Sequence, residues 1–300
     1  MKYLYIFILI AVFACSADNA QKNTQTAAAP TGPDTTTYNK YPWLNGNDYH
    51  NALVNRIEPP KGFRRIEVEK GSFADWIRHL PLKARGAALK LFDGTPKADQ
   101  KSHFAVVELD TLGGELQKSA QCLLRLKNEY HYSRNELDKI ALRYIKGRTR
   151  VAFKDWAVGA KPIIVPDQDI VYFYSPYLDP DYSYANFRNY LRASYPWVSP
   201  ASIANAYPQS LMTDLRIGDM FVDPSDPGHV AMVADIVENE YGHRAFLVIQ
   251  GGNPAQDLHI PVNTTNPDLS PWFNWRDSGA NGLHLPEWTF NLNQLKRFDE

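Results

Sequence analysis

Three side chains in this sequence could together carry out acyl transfer: Cys122 in QCLLRLKNEY, His229 in DPSDPGHVAMVAD and Gln250 in FLVIQGGN. A thiolate attacks an acyl carbon, an imidazole takes and returns the proton, and a third polar group holds the ring in its useful tautomer. The chain has two cysteines, Cys15 and Cys122. If Cys15 carries a lipid, Cys122 is the unpaired thiol of an exported protein and a candidate reactive group. The competing reading of Cys122 is a small buried hydrophobe. For His229 it is a histidine that closes a Pro-Gly turn through backbone hydrogen bonds.

The elements that must position these groups can be read from periodicity. Gly113-Gly114 opens the clearest helix, Glu115 to about Tyr130. At roughly 100° per residue, Leu116, Ala120, Leu123, Leu124, Leu126 and Tyr130 share one arc, with Cys122 just outside it. That edge position predicts a partly accessible thiol. The helix dipole acts within the first turn, so either the helix begins nearer Ser119 or His229 does most of the activation. A second helix is expected over Arg134 to Tyr144. Strands are expected over Arg64–Lys70 and Ser102–Asp110, with a short helix from Ser72 between them. Later comes a three-strand meander, Asp219–Val222, His229–Val237 and Arg244–Gln250, which makes the arrangement α+β.

In the second strand of the meander His229, Ala231, Val233 and Asp235 point to one face. Pairing Val237 with Arg244 across the ENEYGH turn puts Gln250 opposite Ala231, diagonal to His229 on that face. A slip of one residue would send Gln250 to the other face and leave Asn253 as the orienting group. Asp235 shares the face but lies about 20 Å along the strand.

Other chemistry is weaker. The aromatic stretch Tyr172–Trp197 could line a groove in which rings stack on sugar or peptide, with Tyr182, Tyr184, Trp197 and Asn253 as the substrate-binding candidates. LDPDYSY and VDPSDPG lack EF-hand spacing, and His229, His243 and His259 match no zinc pattern, so no metal or cofactor is expected. No G-x-S-x-G signals a serine hydrolase. Net charge is −1 with no long basic run, which gives no support for nucleic-acid binding.

At the N-terminus Lys2 precedes the apolar run Tyr3–Ala14, a signal-peptide pattern too short to span a bilayer comfortably. The run ends VFAC, which resembles a bacterial lipobox and implies cleavage before Cys15 and lipidation of its thiol. The expected organisation is a signal segment over 1–15, a flexible tether over 16–41 and one α+β domain over 42–300.

RIGDMFVDPSDPGHVAMVADIV resembles the strand pair of NlpC-type cell-wall peptidases and their CHAP relatives, where a Gly-Asp turn starts one strand and a His opens the next. A longer resemblance is to a family of bacterial lipoproteins, domain of unknown function 4846, through RIEPPKGFRRI, SFADWIRHLPLK, QCLLRLKNEYHY, FKDWAVGA, PGHVAMVAD, FLVIQGGNPAQDLHI and LPEWTF. The peptidase resemblance implies a papain-like helix packed on an antiparallel sheet, with N-terminal and central insertions. It makes Cys122 the nucleophile, His229 the base and Gln250 the third member. The chain is then an exported, envelope-localised lipoprotein on the outer-membrane side, periplasmic or surface-facing. It would hydrolyse amide bonds, such as those of cell-wall peptide. The alternative is a non-catalytic envelope lipoprotein that binds glycan or peptide through an aromatic groove.

Overall fold

The computed structural model describes residues 32–46, 48–144, 146–165, 170–175, 179–274 and 282–298. The signal segment, Cys15 and the first part of the expected tether lie outside them. The chain engages the domain before Pro42: Tyr38 donates to Asp75 Oδ2 (2.5 Å), and Tyr41 is buried with its hydroxyl on Trp76 O.

There are four short helices, α1 (Leu53–Arg56), α2 (Phe73–Arg78), α4 (Phe153–Ala157) and α6 (Pro200–Ala206), and two longer ones, α3 (Ser119–Ser133) and α5 (Tyr184–Ser194), among the described residues. Ser72 caps α2 by accepting from Asp75 N. The strands are β1 (Phe63–Arg65), β2 (His103–Val106), β3 (Ala141–Tyr144), β4 (Thr149–Ala152), β5 (Lys161–Val165), β6 (Ile170–Tyr174), β7 (Met220–Asp223), β8 (His229–Asn239), β9 (Arg244–Gln250), β10 (His259–Pro261), β11 (Leu283–His284), β12 (Thr289–Phe290) and β13 (Leu295–Lys296). The second helix expected over Arg134–Tyr144 is instead a 3-10 turn, Leu137–Lys139, followed by β3. Leu142 and Tyr144 are buried and alternate with the half-buried Ala141 and Arg143, and β4 returns alongside through a Gly147 turn. Period two prevails over helix propensity here.

A seven-stranded antiparallel sheet in the order β13-β7-β8-β9-β10-β2, with β1 pairing the far end of β8, forms the centre of an α+β domain. β8 is the axis, and its first nine residues are all buried, because the sheet is covered on both faces. Met220, Met232 and Ile249 lie in register on one face. Phe221, Ala231 and Gln250 lie in register on the other. The first face carries α2 and α3. The second is covered by the C-terminal segment, where Phe221 and Phe246 meet Phe290 and Phe273 at 5.9 and 6.3 Å between ring centroids.

The β8–β9 hairpin departs from the expected register in two places. Val237 pairs with Ala245 rather than Arg244. One extra residue, Ala234, then forms a bulge between the Val233–Val248 and Asp235–Leu247 pairs, and Ala231 does face Gln250. The bulge also turns Asp235 away from the His229 face, so it does not share that face as alternation predicted. There, fully buried, it accepts from Arg65 Nε (2.7 Å) and Arg78 Nε (2.8 Å).

Candidate functional site

His229 is buried at the start of β8, its ring 5.1 Å from that of Trp288 and 5.8 Å from that of Phe290. Its Nε2–H donates to Gln250 Oε1 (2.8 Å). Gln250 Nε2 donates in turn to His259 Nε2 (3.3 Å), and His259 Nδ1–H donates to the Asp257 carbonyl (3.1 Å). Each link fixes the next: the last carbonyl sets the His259 tautomer, which sets the amide orientation, which requires a proton on His229 Nε2. Burial pushes the His259 pKa down to about 3, helped by the nearby Lys97. Burial also lowers the pKa of His229, and the hydrogen bond to Gln250 opposes the shift. The imidazole side of the expected triad is therefore assembled. It has an additional member, His259, that zinc-spacing arguments passed over; its place opposite Gln250 on the next strand was the available signal.

Cys122 lies on the other side of the sheet. Gly251 follows Gln250 and so points to the opposite face, where an added Cβ would lie 2.6 Å from Cys122 Sγ and 3.3 Å from Ser119 Cα. The thiol has no exposed surface, and its Sγ donates to the Gln117 carbonyl at 3.4 Å. Among the described residues no hydrogen bond joins it to His229. Burial raises its pKa to about 12, outweighing the Arg125 charge nearby. That guanidinium is itself held by Asp110 Oδ1 (2.7 Å), Gln117 Oε1 (2.9 Å) and Glu129 Oε1 (3.1 Å). The helix does start at Ser119, as one alternative held, but Cys122 turns inward from the arc edge instead of facing a cleft. A cysteine–histidine dyad is thus not formed in this structure. The expected partly accessible thiol is replaced by a sealed one, because the side-chain-free Gly251 lets the sheet close over it.

The four expected substrate-binding residues do not converge either. Tyr184 is packed between Tyr132 and Phe187 and donates to Glu129 Oε1 (2.9 Å), while Tyr182 is exposed beside it. Trp197 is half-buried in a 3-10 turn. Asn253 lines a pocket at the start of α3, apart from the tyrosines. The aromatic stretch divides instead of lining one surface: Phe187, Tyr190 and Tyr195 are fully or almost fully buried, whereas Phe173, Tyr174 and Tyr182 are exposed, and Tyr177 lies outside the described residues.

An aromatic groove exists, but other residues build it. A cavity of about 580 Å³ runs along the second half of α3, floored by Phe73, Tyr130 and Phe298. The ring pairs Phe73–Tyr130 and Phe73–Phe298 lie at 5.3 and 6.0 Å, and Lys127 Nζ sits 4.9 Å from the Phe73 centroid. Gly218 forms one wall with φ +96°, and a Cβ there would come within 3.2 Å of the Phe73 ring. Its neighbour Asp219 accepts from Arg216 N (2.9 Å) and Arg297 Nε (2.7 Å). The Gly-Asp turn therefore shapes the groove. The rim carries both signs, with Glu67, Glu69 and Lys70 on one side and Arg134, Glu136 and Lys139 on the other. Burial pushes the His131 pKa down to about 4, so its neutral ring donates Nδ1–H to Glu136 Oε2 (2.9 Å). Burial resists ionisation of Glu136, yet hydrogen bonds from Arg134 and His131 bring its pKa down to about 2.

Among the described residues no group of three or more His, Cys, Asp or Glu side chains is placed to hold a metal ion, and no helix is long and apolar enough to cross a membrane. No curated protein and no solved structure matches the chain. The sequence profile of domain of unknown function 4846 matches residues 53–297, from α1 to the strand that closes the sheet edge, and the chain belongs to that family.

Proposed function

We propose that this chain is a lipid-anchored envelope protein that binds peptide of the cell wall in the groove along α3. The observation that carries this reading is the groove itself, an open cavity of about 580 Å³ with a floor of three aromatic rings and a rim of both charges. Cavities of roughly 300–1,000 Å³ with apolar floors and a few fixed polar groups are the usual small-ligand sites. Flat rings cover the apolar stem of a ligand, and a mixed rim complements a peptide that carries both amino and carboxylate groups. Titrating the purified protein with soluble peptidoglycan fragments tests it by calorimetry. Binding that is lost in Phe298→Ser supports the groove. No binding, or binding indifferent to that change, defeats it.

A hydrolase keeps one favourable observation, the oriented His229–Gln250 pair at 2.8 Å. To use it, Cys122 would have to leave its seat under Gly251. Peptidoglycan incubated with wild type and with Cys122→Ala, and read by mass spectrometry, separates the readings: a product that depends on Cys122 favours the hydrolase.

A further inference from the structure

A smaller pocket, of about 190 Å³, opens at the outer edge of the central sheet, and the path of the chain beside β2 creates it. β2 is the last strand of the sheet. An earlier segment pairs with its C-terminal end, where Lys83 N–H donates to Val106 O (2.9 Å) and Leu82 bridges Val107. The chain then turns away through Gly86 at φ +74° and returns at Ala87, whose carbonyl accepts from His103 Nε2–H (3.1 Å). Residues 84–86 therefore stand off the strand edge and leave a gap. Ile57, Leu82 and Val106, all buried, floor it, and its mouth is exposed at Arg85, Gly86 and Phe104.

The charge in this gap is one-sided. Arg56 and Arg85 both line it, and no Asp or Glu does. Arg65, Arg78, Arg125 and Arg297 each hold a carboxylate at 2.7–2.8 Å, whereas Arg56 and Arg85 hold none among the described residues. The adjacent Lys83 is already matched by Asp257 (3.0 Å). Arg56 is half-buried, and its Nη1 is fixed by Asn51 Oδ1 (3.0 Å) and the Lys83 carbonyl (3.2 Å), while Nη2 has no acceptor and keeps open surface. Burial lowers the Arg56 pKa, and the Arg85 charge adds to the shift, so the two cations feel each other. Two guanidinium groups held together without a counter-charge favour an anion with several acceptor oxygens, which they bind through paired N–H donors.

The source of that anion follows from where the N-terminal chain joins the domain. Asp34 N–H donates to Asn55 Oδ1 (2.7 Å), and Asn55 Nδ2–H donates back to the Asp34 carbonyl (2.8 Å). Asn55 directly precedes Arg56 on α1. On the lipid-anchored reading, on which this inference rests, the chain from Cys15 spans at most about 65 Å before it reaches Asp34. The anchored end thus holds the Arg56 side of the domain near the headgroups. Phe104, 45% exposed at the pocket mouth, supplies an apolar ring of the kind that enters a bilayer interface. We infer that this pocket docks the domain on the membrane: the phosphate of an anionic phospholipid headgroup lies between Arg56 and Arg85, and Phe104 enters the interface. The net charge of the chain is −1, so general attraction to an anionic surface does not produce such docking.

The test measures partition of the full-length chain onto vesicles of phosphatidylcholine alone and of phosphatidylcholine with about one-third phosphatidylglycerol. The apolar N-terminus contributes to both, and the ratio of the two partition coefficients reads the pocket. Wild type prefers the anionic vesicles about tenfold or more, and Arg85→Gln lowers that preference about fivefold, the share of one cation at an anionic surface. Arg85 is exposed and has no side-chain hydrogen bond among the described residues, so the substitution leaves the fold intact. Arg150→Gln removes the same charge from β4 and leaves the preference unchanged. Calorimetry with glycerol 1-phosphate separates a lipid from a free phosphate, since the soluble ester binds only above millimolar concentration. Submillimolar binding of that ester, equal partition of wild type onto both vesicles, or equal losses in Arg85→Gln and Arg150→Gln overturns the inference. Mass spectrometry reports lipid on Cys15 separately: equal partition with Cys15 lipidated defeats the docking and not the anchor. An Arg85-dependent preference without lipid on Cys15 supports the docking and defeats the anchor.

Discussion

The two faces of the central sheet differ in kind although the same strands build both. On the helix side, where α3 packs against β8 and β9, Cys122 Sγ is closed off by Gly251 and hydrogen-bonded to a carbonyl. On the opposite side His229, Gln250 and His259 form a hydrogen-bonded chain beneath Trp288 and Phe290. A helix cysteine and a strand histidine in papain-like chain order become partners only if strand parity turns the histidine to the face that the helix covers. Here parity separates them, so each is governed by its own surroundings: an apolar layer that keeps a thiol protonated, and a polar chain that fixes tautomers.

The largest expected effect comes from filling the contact that seals the thiol. Gly251→Ala places a Cβ 2.6 Å from Cys122 Sγ and should cost about 1–3 kcal/mol in urea unfolding by overpacking. Combined with Cys122→Ala, the loss should be smaller than the sum of the two single losses, because the clashing sulfur is gone. Strict additivity would mean the thiol does not lie under Gly251. On the other face Gln250→Leu strips the donor from His259 Nε2 and the acceptor from His229 Nε2–H. A buried unpaired group costs about 1–3 kcal/mol, so a stability unchanged from wild type would break the proposed chain.

Much of the imidazole face was legible in the sequence, and the reason is instructive. The strand lengths and the ENEYGH turn place Gln250 near His229, although the hairpin register starts one residue away from the expected pairing. The Ala234 bulge absorbs that residue, so the neighbourhood survives while Asp235 changes sides. No local signal marks that bulge, since Val-Ala-Asp carries neither glycine nor proline. Cys122 was the less legible residue. Its helical angle describes an edge position, but whether an edge is open depends on what packs against it. The Gly251-Gly252 pair after β9 was the sequence sign of close backbone approach. The groove was hidden for a different reason: Phe73, Tyr130 and Phe298 come from three distant segments, and no spacing links them.

The pH dependence sharpens the contrast at a somewhat smaller scale. His259 has a folded pKa of about 3 against an ordinary value near 6.5. The folded state therefore disfavours the proton and the unfolded chain takes it up. The stability is present in full above about pH 6.5 and is lost as pH falls toward 3, by about 2 kcal/mol between pH 7 and 5. His131, at about 4, acts in the same direction. Urea midpoints measured from pH 7 to 5 should fall, and His259→Gln should flatten the fall while leaving the His131 share. A variant as steep as wild type would remove His259 from the buried chain.

The smallest expected effect is the one that decides between the two faces as chemistry. Cys122 carries a thiol with its pKa raised to about 12 and no exposed surface, so iodoacetamide near neutral pH should label it far more slowly than the same thiol in urea. A thiolate activated by an imidazole would react faster than an ordinary thiol and would slow when that imidazole is removed. With the sheet between them, His229→Gln, which keeps a side-chain donor for Gln250, should leave the labelling rate of the folded protein unchanged. Fast labelling that His229→Gln abolishes would bring thiol and imidazole together in a second arrangement of this domain, one in which α3 has shifted from its seat against Gly251.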